Sequence, residues 1–345
     1  MNVFWAREET DRPLVLIGFR KPGAGAFAHK KHPSWQERWL DLEYRTLQTV
    51  HHMENTVFYA DMMPVAWPNL GPGIFSAWAG CPYEYGADTT WTSPCIEDWD
   101  KDAGKAVVDM SHPLLKKTEE FTRMLLEQAG GKFIVGLTDF HPGGDHLAAL
   151  RDSEQLAIDL IDNPDAVKAK LETSYTEYFR VYDYFAGILK ENQMPISTWL
   201  TLTSETTMYV PSNDFSCMIS ESMFEEFFLE GIRRECRHYE NNIYHLDGPG
   251  ALRHLDMLLS LDELDAVQWV PGAGNDEALK WLDVYDRVLS KGKGLYICNV
   301  RPTDLDTLME HLPARGVCLH MNGINDGDTA AAVMRKIEKW PMRRN

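Results

Sequence analysis

Two short patterns in this sequence place chemically capable side chains two residues apart. Tyr244-His245-Leu246-Asp247 runs into Gly248-Pro249-Gly250, and Cys318-Leu319-His320 lies inside a second apolar run. In a strand, side chains alternate between faces, so each pattern would aim both of its polar groups the same way. His245 and Asp247 then form a metal site, an acid–base pair, or only a polar strand end.

Zinc accepts Cys sulfur, His nitrogen and carboxylate oxygen, and its catalytic sites keep one position open. His245, Asp247 and Cys318 supply three such ligands, and a thiol bound in the open position would lose its proton to the metal. His320 and Cys298 are further ligand candidates. The alternative is that His245 and Asp247 hydrogen-bond a rim while Cys318 packs as a small hydrophobe. Asp214 and Asp247 are the acid–base candidates if no metal is bound. Trp67, Asn69, Tyr209, Asn213 and Gln268 are candidate substrate contacts. Trp67, Trp78, Trp91 and Trp99 would wall an apolar or cationic pocket, or pack beneath a long excursion. Asp61, Asp139, His141 and Asp145 also fall near strand ends, although His141 to His146 reads equally well as a turn and helix cap.

These groups must be positioned by regular elements. From about residue 130, short apolar runs alternate with amphipathic segments: 132–140, 196–202, 210–220, 242–248, 266–272, 294–300 and 316–323 read as strands, with helical spacing between most of them. With 56–67 added there are about eight strand–helix units, which implies a parallel sheet. No glycine-rich dinucleotide or phosphate loop follows an early strand, so the pattern predicts a single (β/α)8 TIM barrel over residues 1–345 rather than an open doubly wound sheet. In such barrels the site lies at the C-terminal ends of the strands. Residues 66–100, rich in Pro, Gly and Trp, break the rhythm and read as an irregular N-terminal excursion covering one barrel end.

Formal net charge is −18, from 34 basic and 52 acidic residues. That balance argues against nucleic acid and anionic membrane surfaces as partners. No apolar stretch reaches membrane-spanning length, no signal peptide is evident, and the six cysteines are widely spaced. A cytoplasmic location with reduced cysteines is expected, and a homo-oligomer is an open expectation.

The runs YVPSNDFSCMISESMFEEFFL, IYHLDGPGALRHLDMLLSLDELDAVQWVPGAG, PVAWPNLGPGIFSAWAG and DTTWTSPCIEDWD resemble the uroporphyrinogen decarboxylase superfamily. They are most similar to its corrinoid-linked methyltransferase branch, often labelled trimethylamine-corrinoid-protein-like. The resemblance covers about residues 35–340. It implies a (β/α)8 barrel whose thiol-methylating members bind zinc through a His-x-Cys strand end and a Cys on the last strand. His245 matches the first of these ligands and Cys318 the last, whereas Asp247 stands where Cys is expected. The decarboxylase branch fits less well, because its arginine-rich early loop is reduced here to Arg20.

The resemblance therefore implies a methyltransferase moving a methyl group between a corrinoid and a thiol or reduced pterin held at zinc. The corrinoid would arrive on a separate corrinoid-binding protein, since no cobalamin-binding segment is evident. The rival expectations are a metal-independent decarboxylase or lyase of a small carboxylated or tetrapyrrole substrate, and a barrel that only binds a ligand or corrinoid partner.

Overall fold

A computed structural model describes residues 1–340; the last five residues of the expected 1–345 domain lie outside the described part. Its centre is a seven-stranded sheet in the order Thr56–Ala60, Leu14–Arg20, Val317–Met321, Gly294–Val300, Ala266–Val270, Asn241–Asp247, Met208–Tyr209. Every neighbouring pair is parallel except Thr56–Ala60 against Leu14–Arg20. A second, short parallel pair joins Val65–Ala66 to Ile134–Val135. The chain leaving that pair continues to the next strand, where Leu137 N–H donates to the Ser197 carbonyl at 2.8 Å.

Alternation along the strands divides the interior in two. Tyr244, Leu246, Val267, Trp269, Leu295, Ile297, Val317 and Leu319 point to a core shared with the outer helices. Ile243, Ala266, Tyr296 and Cys318 point to the other, with Val135, Met208 and Tyr209. His245, Asp247, Gln268 and Cys298 share the parity of this second set, so the strand period alone carries them to one face.

Several sequence expectations change in detail. The apolar run 14–20 is a full central strand that the strand–helix rhythm had not singled out. Residues 56–67 hold two strands separated by a turn in which Ala60 takes a left-handed backbone (φ 57°). In 196–202 only Ile196–Ser197 is strand, and it turns back on Thr203–Ser204. The 210–220 run is a 3-10 helix, Asp214–Met218, rather than a strand. Ser220 caps the next helix by accepting from Met223 N–H, but that helix breaks at Phe228 and restarts as Leu229–His238. The 66–100 excursion contains a helix, Ile74–Trp78, and a hairpin, Tyr83–Tyr85 with Thr90–Thr92. It is part of the core as much as a cover, for Trp78 is fully buried and stacks on Phe185 at 6.0 Å.

Candidate metal centre and cleft

The backbone brings distant residues to one place by a simple device. Met208–Tyr209 pairs in parallel with Asn241–Asn242, and the pairing resumes at a bridge between Ser212 and His245, with His245 N–H donating to Pro211 at 2.9 Å. Residues 208–214 therefore run alongside 241–247, and Asp214 at the start of the 3-10 turn arrives beside the end of the neighbouring strand. Gly248 follows Asp247 with φ 75°, a backbone that favours glycine, and turns the chain into the next helical segment.

Asp214, His245 and Asp247 each offer a ligand atom, and these atoms all lie within 4.8 Å of one another. Ligands about 2.1 Å from a shared ion sit at most about 4.2 Å apart, so side-chain rotation closes the set on a divalent cation. His245 is prepared for this role. Its Nδ1 is 2.7 Å from Gln268 Oε1, and a carbonyl oxygen can only accept, so Nδ1 carries the proton and Nε2 keeps its lone pair. Gln268 is itself buried, and its Nε2 donates to Cys298 Sγ at 3.4 Å. Asp214 accepts from the Ser212 hydroxyl at 3.3 Å, while Asp247 has no hydrogen-bond or ion-pair partner among the described residues. The donor set of two carboxylates and an imidazole fits zinc and other borderline divalent ions.

Cys318, the expected third ligand, does not join this group. Cys318 is fully buried, pairs in register with Leu14 and Tyr296, and is absent from the converging group. It is the second residue of its strand, near the end where the chain enters the sheet, whereas Asp247 is the last residue of its own. Cys318 shares the face of His245 but not its height. His320 lies farther along the Cys318 strand, with its ring 6.0 Å from Tyr296, and is likewise outside the group. Asp214, read from sequence as an acid–base candidate, converges with His245 and Asp247 instead.

His245 and Asp214 form one side of a cleft of about 720 Å³ that also exposes Asp139, His141, Asp145, Trp199, Phe215 and Met218. His141 Nε2 is 2.8 Å from Asp139 Oδ1. Burial would lower the imidazole's pKa, but the charge and hydrogen bond of Asp139, with Asp145 and Glu235 behind it, outweigh this and raise it to about 9. Asp145 accepts from Phe215 N–H at 2.8 Å. Burial and then the neighbouring Asp214 charge lift its carboxyl to about 6. Deeper still, burial pushes Glu235 up to about 8, and one of its oxygens has no hydrogen-bond partner. The HPGGDH segment is thus a turn and helix start that also faces the cleft.

The expected substrate contacts separate. Tyr209 is fully buried and locks the turn above it, donating to Thr138 O at 2.6 Å and accepting from Phe140 N–H at 2.9 Å. Asn213 is buried against Gly144, with both amide atoms unpartnered. Asn69 accepts from Gly71 N–H at 2.8 Å and faces a different pocket. Gln268 acts through His245, as described above. Trp67 lies 6.2 Å from Trp199. It is Trp199, hidden in a run read as strand, that lines the cleft and meets His141 edge-on at 5.7 Å. Of the two readings of the four tryptophans, a common wall does not form: Trp78 packs in the core, Trp91 is exposed, and Trp99 donates to Asp159. Asp61, another strand-end candidate, is held by Arg12.

No helix among the described residues is long and apolar enough to cross a membrane. No protein-family model matches the sequence, and no curated protein matches it. Among solved structures, a methyltransferase from Methanosarcina mazei superposes with a TM-score of 0.61 at 10% sequence identity, over 98% of this chain and 96% of that one. The chain shares the fold of that protein.

Proposed function

We propose that this chain is a methyltransferase that moves a methyl group between a corrinoid, carried by a separate protein, and a thiol or reduced pterin held at a zinc ion. Asp214, His245 and Asp247 would bind the ion. The observation that carries this reading is their convergence within 4.8 Å beside a cleft that Asp214 and His245 line, with His245 already set in its ligating tautomer by Gln268. The likeness in fold to a methyltransferase and the phrase-level resemblance to corrinoid-linked relatives favour the same chemistry. In this reading the two sets of parallel strands are arcs of one (β/α)8 barrel, and the cleft is its C-terminal mouth.

When bound, the ion supplies Lewis acidity that lowers the pKa of the acceptor. The chain's own residues do the rest. Gln268 fixes the His245 ring, and second-shell partners of this kind sustain metal affinity. The two carboxylates balance the cation's charge. The Ser212 hydroxyl stands 3.3 Å from Asp214 and 3.4 Å from Asp145 and can donate to either one, helping to hold both carboxylates in place. Trp199, Phe215 and Met218 give that wall an apolar lining which limits water at the transfer site. Protein purified without chelators should contain stoichiometric zinc, and His245→Ala should lose zinc and methyl transfer together. Zinc-free protein of full activity would overturn the proposal.

One feature favours a second reading. The Asp145–Asp214 pair and the charged His141 would also serve a metal-free lyase or decarboxylase acting on a small carboxylated substrate. In that case Asp214→Asn abolishes turnover while His245→Ala leaves it intact.

A further inference from the structure

Behind the loop that carries Asn69 lies a guanidinium without an anion. Arg45, in the Leu42–Glu54 helix, packs 4.5 Å from the Trp39 ring and 5.6 Å from the Phe121 ring. Its guanidinium makes no ion pair and no hydrogen bond among the described residues. Arg12 and Arg151, by contrast, pair with Asp61 and Asp159. Burial, and then repulsion from Arg38, lower the Arg45 pKa to about 10. Ring contacts offset part of the desolvation but occupy none of the five N–H donors. A half-buried cation left this way carries a desolvation cost, and an arriving anion relieves it.

The space for such an anion is present. Arg45 lines a pocket of about 220 Å³, room for about seven waters at about 30 Å³ each. Arg38, Gln48 and Asn69 line it too. Arg38 spends one N–H on the Ala87 carbonyl at 3.1 Å, which leaves its other donors free. The Asn69 carbonyl oxygen is taken by Gly71 N–H, so its amide nitrogen remains as a donor. The lining includes a single carboxylate, Asp88, and it pairs with neither guanidinium. The pocket shares no lining residue with the cleft of the metal centre.

We infer that this pocket is a binding site for a small oxyanion, a carboxylate or phosphate group, gripped by Arg45 with Arg38, Gln48 and Asn69 completing the donors. A planar guanidinium matches both oxyanions in two-point contact. The inference is independent of the proposed methyl transfer.

Calorimetric titration of the full chain tests it, with inorganic phosphate and acetate as separate probes and with metal removed by chelation so that the other centre cannot contribute. Saturable binding of at least one probe is expected, and the stronger of the two identifies the ligand class. Arg45→Met should weaken it by at least about tenfold, the scale of a lost charge-assisted hydrogen bond, and Arg38→Gln by several-fold. Asp214→Asn should leave it unchanged. In buffer free of oxyanions, Arg45→Met should melt no lower than wild type. Absence of saturable binding by either probe, or undiminished affinity in Arg45→Met, would overturn the site. So would an Arg45→Met protein that melts well below wild type when wild type shows no stabilisation by either anion, because Arg45 would then be a packing residue only.

Discussion

Gln268→Leu is the most informative single change at the proposed metal centre. The substitution keeps the bulk of a buried side chain and removes the group that accepts from His245 Nδ1, 2.7 Å away. Two costs follow. The imidazole is freed to rotate or to exchange tautomers, and losses of this kind reduce metal affinity by about 10- to 100-fold, or about 1.4 to 2.7 kcal/mol. Separately, a half-buried ring N–H loses its acceptor, which lowers folding stability by about 1 kcal/mol. The Cys298 sulfur also loses its donor at 3.4 Å, a weaker contact that adds little. Competition titration against a chromophoric chelator reads the first cost, and denaturant unfolding of metal-free protein reads the second. Gln268→Glu, which keeps an acceptor in place, should hold metal at least as tightly as wild type. If Gln268→Leu binds zinc within twofold of wild type while remaining folded, His245 is not the ligand that Gln268 orients, and the centre as described is wrong.

Other outcomes can be checked alongside it. Tyr209→Phe removes a hydroxyl that joins Thr138 O to Phe140 N–H in the core; unfolding free energy should fall by about 1 to 3 kcal/mol with zinc affinity unchanged, and altered zinc binding would instead place Tyr209 in the centre. Glu235 is an acid whose folded pKa is raised from 4.5 to about 8 by burial, against the pull of His141 and with the push of Asp145. Above pH 8 it is ionised in both states and its burial cost is complete, whereas below about 4.5 it is neutral in both and the cost vanishes. Glu235→Gln should therefore gain stability over wild type as pH rises from 4.5 to 8, by up to about 5 kcal/mol; a pH-independent difference between the two unfolding curves would contradict the raised pKa. X-ray absorption of the zinc-loaded protein should give only N/O neighbours at about 2.0–2.2 Å, and a sulfur shell near 2.3 Å would return Cys318 or Cys298 to the metal.

The residues that were legible in sequence are those fixed by local periodicity. His245 and Asp247 share a face because a strand repeats every two residues, and the GPG turn marks where that strand ends. The parallel sheet follows from the same apolar runs alternating with amphipathic segments. Cys318 shows the limit of this reasoning. Period two gave its face correctly, but its height depends on the register Leu14↔Cys318 and Tyr296↔Cys318, which no local pattern encodes. Asp214 depends on the Ser212–His245 bridge between segments about thirty residues apart, and its place beside Asp247 is non-local in the same way. Trp199 was obscured because an aromatic in an apolar run looks like core. Its exposure to the cleft follows from the early end of the Ile196–Ser197 strand and the left-handed backbone at Thr201, φ 58°. Arg45 lay unnoticed in a polar helix, since the lack of a partner is a property of the packed state.

The central claim, methyl transfer at the Asp214–His245–Asp247 centre, is tested most directly by a single-turnover assay. Methylcobalamin is mixed with the protein and a thiol acceptor, or a reduced pterin in a parallel run, and demethylation is followed by the corrinoid's absorbance. The protein is used as purified, after metal removal, and after zinc is restored. The account predicts demethylation with zinc, loss of it on removal, recovery on restoration, and no recovery in His245→Ala. Demethylation that persists undiminished in metal-free protein, or in His245→Ala, would contradict it.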